Sequence, residues 1–335
     1  MSNKTGILLI NLGTPNGPDK ASVRAFLKEF LSDPRVIDLP SWIRRILLYC
    51  VILPFRTSKS TKAYQQIWDK EKGSPLLFHS NSLVAAIQSN LKESHIVELA
   101  MRYGTPSIDS AIQNLLAKKI DHLIVLPLFP QYSSAATGSA IESTLKALKK
   151  SWIFPKLTII RDFYQEPAFI AAKAALLIPL INEHQPEKII FSYHSLPIRH
   201  IKKGKCSYQC EQSKACPIEP TCYRSQCYET SRLLASACGL SENQYLVAFQ
   251  SELGRTPWVG PNLQTTLESL SKQNIKNIMV ACPSFVSDCL ETLEEIGIRT
   301  KASWRALDGK EFHLAPCLNS HPEWISGLQT ILENH

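Results

Sequence analysis

The chain has 335 residues, 44% of them apolar and 20% charged, with a formal net charge of +8. That composition is ordinary for a soluble globular protein and long enough for one large domain or two similar ones. The charge suits anionic substrates or anionic lipid, but no Lys/Arg tract interleaved with aromatics appears, which excludes a nucleic-acid signature.

The N-terminus runs straight into an apolar strand pattern, with no basic region before a cleavable apolar segment. Export is therefore not expected and the cytoplasm is the default, with thiols kept reduced. The first predicted strand is Gly6 to Leu12, followed by a helix near Ser22 to Leu31. Ile46 to Phe55 is the most apolar window, about half the ~20 residues a membrane span needs. It reads either as a core helix or as an apolar lip on a membrane surface, flanked by Arg44, Arg45, Arg56, Lys59 and Lys62. Next come a strand at Ile96 to Arg102, a helix at Ser107 to Lys118 and a strand at His122 to Pro127.

The second half repeats the theme. Strands are predicted at Lys188 to Tyr193, Gln244 to Gln250 and Ile275 to Ala281, with helices at Tyr228 to Ala237 and Leu263 to Lys272. Short β-branched runs alternating with amphipathic stretches indicate α/β structure with parallel sheets. The strand ends echo each other: Asn11-Leu12-Gly13 with Tyr193-His194-Ser195, Arg102-Tyr103-Gly104 with Gln250-Ser251-Glu252, and Leu126-Pro127 with Ala281-Cys282. Two similar Rossmann-like domains follow, 1–165 and 166–335, with ligands expected at the carboxyl ends of strands in a cleft between them. Neither GxGxxG nor GxxxxGK[ST] occurs, so the usual nucleotide sites are not supported.

Two groups of residues carry chemistry. His194 stands just past an apolar strand, where a histidine is either a satisfied structural residue or a base. Asp288, Glu291 and Glu295 fall at i, i+3 and i+7, one face of a helix. They read either as a solvated acidic first turn complementing the helix dipole or as a row passing protons or a divalent cation. Carboxylates with an imidazole opposite suit transient Fe2+. A third feature is the run Cys206, Cys210, Cys216, Cys222 and Cys227. The first four lie within seventeen residues at C-x3-C, C-x5-C and C-x5-C spacing, enough to close a tetrahedral or 2Fe–2S site.

Over nearly its whole length the chain resembles the ferrochelatases, which insert Fe2+ into a porphyrin. The resemblance rests on Leu9-Ile-Asn-Leu-Gly-Thr-Pro15, Lys72-Gly-Ser-Pro-Leu76, Leu126-Pro-Leu-Phe-Pro-Gln131, Ser192-Tyr-His-Ser-Leu-Pro197, Phe249-Gln-Ser-Glu-Leu-Gly-Arg-Thr-Pro-Trp258, Cys282-Pro-Ser-Phe-Val-Ser-Asp-Cys-Leu-Glu-Thr-Leu-Glu-Glu295 and Pro316-Cys-Leu-Asn319. It implies that His194 accepts pyrrole protons or meets the metal and that Glu291 faces it across the porphyrin. Asp288 and Glu295 match the acidic path behind. Trp258 and Tyr103 match aromatic walls, Leu12 lies under the macrocycle, and Arg56, Tyr64 and Ser74 hold propionates.

The implied substrates are protoporphyrin IX and Fe2+, with a monomer or homodimer, a peripheral membrane contact and no nucleic acid. Coproporphyrin is the alternative, but that branch commonly has Tyr where Leu12 stands. Cobalt or nickel chelatases share the fold yet usually lack the Phe249-to-Trp258 motif. A two-lobed ligand or metal carrier is a further alternative outside the enzymes.

The chain departs from plain bacterial members in one place. Tyr223-Arg-Ser-Gln-Cys227 follows the His-Ser-Leu-Pro motif much later than in those members, so roughly Lys205 to Cys222 looks inserted. Some ferrochelatases carry a 2Fe–2S cluster. The resemblance assigns one here to Cys206, Cys210, Cys216 and Cys222, with structural Zn2+ as the alternative and Cys227 as part of the framework.

Overall fold

A computed structural model describes residues 4–204, 221–252, 254 and 256–335. Cys206, Cys210 and Cys216 lie outside the described residues. Two compact units are present. The first comprises Met1–Phe129, Ser133–Asp162 and Leu328–His335, and the second Pro130–Tyr132 and Phe163–Gly327.

In the first unit, β1 (Thr5–Gly13) is a continuous apolar run with Ile7 to Ile10 fully buried, as expected of a parallel strand covered on both faces. Helix α1 (Lys20–Ser32) starts at Asp19, whose carboxylate accepts from the N–H groups of Ala21 and Ser22. Its Val23, Phe26, Leu27 and Leu31 form one buried stripe. Then come α2 (Ser41–Ile46), a π-helical stretch Leu47–Ile52, α3 (Leu53–Ile67) and α4 (Pro75–Asn90). They are followed by β2 (His95–Tyr103), α5 (Ile108–Ala117), β3 (His122–Pro127), α6 (Ser139–Leu148) and β4 (Lys156–Ile159). The sheet is all parallel in the order β2-β1-β3-β4. Gly13 ends β1 at a φ of +116, and a Cβ there would meet the Tyr103 carbonyl oxygen at 1.8 Å. Only glycine lets the ends of β1 and β2 approach this closely.

The second unit repeats this connectivity. It contains α7 (Pro167–His184), β5 (Lys188–His194), α8 (Ile198–Lys203), α9 (Tyr223–Ala237), β6 (Tyr245–Gln250), α10 (Leu263–Lys272) and β7 (Asn277–Ala281). A π-helix (Glu291–Thr300), α11 (Lys301–Ala306), β8 (Glu311–Leu314) and α12 (Pro322–Glu333) complete the chain. The parallel order is β6-β5-β7-β8. Its core gathers Ile190, Ala248, Leu267, Ile278, Val280, Ile296 and Trp304.

The strand registers make the internal echo concrete. Leu9 pairs with Leu126, and Phe191 pairs with Ala281. Three residues beyond Leu9 and Phe191 stand Leu12 and His194, so these two occupy equivalent strand ends. Helices α5 and α10 are equivalent too: each has ten residues and a capping side chain one residue ahead, Ser107 and Asn262.

Two expectations are corrected. Helix α9 begins at Tyr223, five residues before the predicted start, because the polar-looking Tyr223 to Cys227 stretch is buried and bonded. The Tyr223 hydroxyl donates to the His194 carbonyl at 2.8 Å, and Gln226 Oε1 accepts from the Tyr132 N–H at 2.6 Å. The Ile46–Phe55 run is neither wholly core nor wholly lip. Leu48 is 1% exposed, whereas Ile46 is 56% and Phe55 77% exposed. No described helix is long and apolar enough to cross a membrane.

Leu48→Ser should therefore destabilise the fold by about 2–5 kcal/mol, as large-to-small core changes do. Phe55→Ser should stay within about 0.5 kcal/mol of the parent. Urea or thermal unfolding separates the two, and equal losses would contradict this division of the segment.

Candidate active site

His194 is the last residue of β5 and pairs with Gln250, the last residue of β6. Its ring Nδ1 lies 2.6 Å from the carbonyl oxygen of Ser195. A carbonyl only accepts, so Nδ1 must carry the proton, and in the neutral ring Nε2 keeps its lone pair. The backbone around the ring is tied down. The Ser195 N–H donates to the Gln250 carbonyl at 2.8 Å, and its hydroxyl donates to the Val259 carbonyl at 2.7 Å.

Gln250 joins three elements. Its Oε1 accepts from the buried Ser192 hydroxyl on β5 at 2.6 Å, and its Nε2 donates to the Glu291 carbonyl at 3.4 Å. The next residue, Ser251, grips Glu295: its N–H donates to Oε1 at 2.9 Å and its hydroxyl to Oε2 at 2.5 Å. The strand ends of β5 and β6 thus set the π-helix that carries the carboxylates.

Burial pushes the Glu295 carboxyl above its ordinary value of 4.5. The Ser251 hydrogen bond and the charge of His194 oppose that rise, Glu291 adds to it, and Arg299 opposes it. Glu295 therefore senses both His194 and Glu291, so these three groups share one electrostatic environment. Among the described residues, no three or more His, Cys, Asp or Glu side chains are grouped to hold a metal ion.

Asp288 is not part of that row. The helix begins after it, and is wound as a π-helix rather than the expected α-helix, so the i, i+3, i+7 face does not form. Asp288 instead fastens the loop ahead of the helix. Its Oδ1 accepts from the Thr292 hydroxyl at 3.1 Å and the Cys317 N–H at 3.2 Å, and its Oδ2 accepts from Asn319 Nδ2 at 2.7 Å. Glu294 is buried and paired with Arg299 Nε at 2.9 Å.

Trp258 is half-buried, and its backbone bridges to Pro197 in the loop after His194. Ile198 N–H to the Pro257 carbonyl, 3.0 Å, and Val259 N–H to the Leu196 carbonyl, 2.9 Å, flank that bridge.

In the first unit, Leu12 is half-buried at the end of β1, and Arg56 is half-buried on α3. Ser74 is buried, its hydroxyl 2.7 Å from that of Thr14. Both line a cavity of 280 Å³ with Asn16, Trp68, Lys72 and Thr105. Tyr64 is buried edge-on against Phe26 and Trp68.

Tyr103 is not the open aromatic wall expected of it. It is fully buried, with Arg102 over its ring at 4.4 Å and its hydroxyl donating to Asp33 Oδ2 at 2.9 Å. Burial raises its phenol far above the ordinary value. Asp33 also accepts from Ser139 and pairs with Arg102 at 2.6 Å. Burial alone would raise the Asp33 carboxyl, but the Ser139, Arg35 N–H and Tyr103 bonds and the Arg102 charge outweigh it and hold the group below the carboxylate norm.

From sequence alone, Gln250, Ser251 and Asp33 have no assigned role in the site. Their one sequence signal is a polar residue just where an apolar run stops.

Residues 4–335 match the family profile described as Ferrochelatase. The chain is 54% identical over 332 residues to the ferrochelatase of Legionella pneumophila, covering 98% of each. The chain belongs to the ferrochelatase family. It is also 48% identical to the ferrochelatase of Coxiella burnetii, over 98% of this chain and 92% of that one. As a ferrochelatase it is a metal chelatase, with a porphyrin and a metal ion as substrates. Among solved structures it resembles SirB from Bacillus subtilis with Fe3+ (TM-score 0.57, 10% identity, 99% of this chain and 95% of that one). A cobalt complex of the sirohydrochlorin chelatase SirB gives 0.56 at 10% identity, over 99% and 94%. At that identity the likeness shows the chelatase fold alone.

The Glu295 environment gives a stability test for this ferrochelatase. Between 4.5 and the raised folded value, the folded state binds more protons than the unfolded state, so the Glu295 contribution falls as pH rises through that window. Glu295→Gln keeps an acceptor for the Ser251 N–H but cannot ionise. It should melt at or above the parent temperature at neutral pH and match the parent below 4.5. A variant less stable at neutral pH than in acid, relative to the parent, would contradict the burial of this charge.

Proposed function

We propose that the chain inserts Fe2+ into protoporphyrin IX, with His194 as the proton acceptor. The observation that carries this reading is the Nδ1–H hydrogen bond to Ser195, which leaves Nε2 as a base beside Glu291 and Glu295. Metalation replaces two pyrrole N–H protons with one Fe2+, so two protons must leave as the metal enters. An imidazole with a free Nε2 can accept one of them and hand it on before it accepts the second. Glu291 and Glu295 supply hard oxygen donors to guide Fe2+ and the departing protons, and Asp288 braces the start of their helix.

The family resemblance assigns Leu12 to the macrocycle and Trp258 to its aromatic wall. Arg56 and Ser74 hold propionates, the first through a guanidinium fork and the second through the paired hydroxyls of Ser74 and Thr14. The packing of Tyr64 and Tyr103 makes them supports for these groups. The exposed Trp42, Ile46 and Phe55 form an apolar face that suits the porphyrin's vinyl edge and peripheral contact with the cytoplasmic face of a membrane.

We assign Cys206, Cys210, Cys216 and Cys222 to a 2Fe–2S cluster. Of these, Cys222 can be tested against the structure. It stands at the N-cap of the fifteen-residue α9, where the helix dipole favours thiolate charge, with buried Arg224 two residues on. Cys227 does not fit: it is fully buried, and that burial pushes its thiol well above the ordinary value. A bound cluster would supply a redox-active centre.

His194→Ala should lower turnover of Fe2+ and protoporphyrin IX by about 10²–10⁴ while porphyrin binding, read by fluorescence, persists. Near-parent turnover would overturn the assignment. In the same anaerobic assay, coproporphyrin should be metalated more slowly than protoporphyrin, and the reverse preference would move the chain to the other branch. Changing any of the four cluster cysteines to Ser should bleach the visible absorption of anaerobically purified protein, and Cys227→Ser should not. A colourless protein with one equivalent of zinc and no acid-labile sulfide would replace the cluster with structural Zn2+.

A further inference from the structure

The single most exposed large apolar residue of the first unit, Trp152, lies outside the α2–α3 segment. Trp152, Ile153 and Phe154 are consecutive and are 97%, 77% and 61% exposed. They form the turn between α6 and β4. Both ends of this turn are pinned. The Ser151 N–H donates to the Leu148 carbonyl and its hydroxyl to the Ile153 carbonyl, each at 2.8 Å. The Lys156 N–H donates to the Asp121 carbonyl at 2.8 Å. Pro155 restricts the backbone between them. The three side chains are therefore held out into solvent on a built turn.

The surroundings are basic. Lys146, Lys149, Lys150 and Lys156 are exposed, and residues 143–161 contain no Asp or Glu. Lys146 pairs with Glu142 and Lys150 with Asp109, whereas Lys149 and Lys156 have no carboxylate partner among the described residues. Exposed Leu145 and Leu157 extend the apolar surface.

We propose that this turn docks the protein on an anionic lipid bilayer, inserting Trp152, Ile153 and Phe154 below the headgroups while the lysine collar binds lipid phosphates. Charge favours a bilayer over a second copy of the chain. The lysines beside the tip that no carboxylate pairs among the described residues, Lys149 and Lys156, are both positive, which opposes self-association and complements anionic headgroups. An aromatic tip with lysine flanks is the combination that partitions into the membrane interface. The turn contains none of the residues assigned to metalation, so docking and turnover are read separately.

The test is co-sedimentation of the full chain with vesicles of phosphatidylcholine and phosphatidylglycerol, against vesicles of phosphatidylcholine alone. The parent should bind the anionic vesicles and release them as salt rises. A triple Trp152→Ser, Ile153→Ser, Phe154→Ser variant should bind at least about tenfold more weakly, as should Lys149→Glu with Lys156→Glu. Both should keep parent turnover with detergent-dispersed porphyrin. Parent-like vesicle binding by the triple variant would overturn the proposal. So would binding that ignores lipid charge, or a parent dimer that the triple variant converts to monomer.

Discussion

The hydrogen bond from His194 Nδ1 to the Ser195 carbonyl decides what the site can do. A histidine whose Nδ1 were instead an acceptor would present Nε2–H, a donor, toward the carboxylates and would be unable to take a pyrrole proton. The bond spans adjacent residues, so its geometry depends on the backbone turn after β5. That turn is fixed by Ser195 on Gln250 and Val259, and by Tyr223 on the His194 carbonyl. Strand register, not a local motif, fixes the tautomer on which the proposed role of this imidazole rests.

The same register shows how one architecture serves two purposes. Both units run their strands in the order second, first, third, fourth, and have one equivalent position near the end of the first strand. One unit places Leu12 there and the other His194. In the second unit the polar residues that follow, Gln250 and Ser251, reach the π-helix and hold its carboxylates. In the first unit, Arg102 and Tyr103 at the comparable place turn to Asp33 and Ser139 and close a buried network. The exchange of an apolar residue for an imidazole is what separates the chemistry of the two strand ends.

Much of this was legible in the sequence. The strands at residues 6–12, 96–102 and 122–127 are recovered because continuous β-branched runs leave little choice, and Leu263–Lys272 is exact because Asn262 caps it and Leu263, Leu267 and Leu270 repeat at helical spacing. β4 and β8 have no sequence signal of their own, since four residues are too few for a periodicity. Asp288 misled because spacing on an ideal α-helix says nothing about π-winding or about a carboxylate taken up by Asn319. Tyr103 misled because an aromatic at a strand end is as suited to packing under Arg102 as to lining a pocket. The exposed Trp152 turn carries no periodicity at all, and only the structure shows it standing clear of the core.

The most direct test of the account is the tautomer of His194. Nitrogen-15 NMR of histidine-labelled protein, with the His194 signal assigned by its loss in His194→Ala, reads which ring nitrogen carries the proton in the neutral form. A protonated Nδ1 and a proton-free Nε2 are expected, with the Nε2 signal shifting when porphyrin or Fe2+ is added. A neutral ring protonated at Nε2 would contradict the assignment of this histidine as the base.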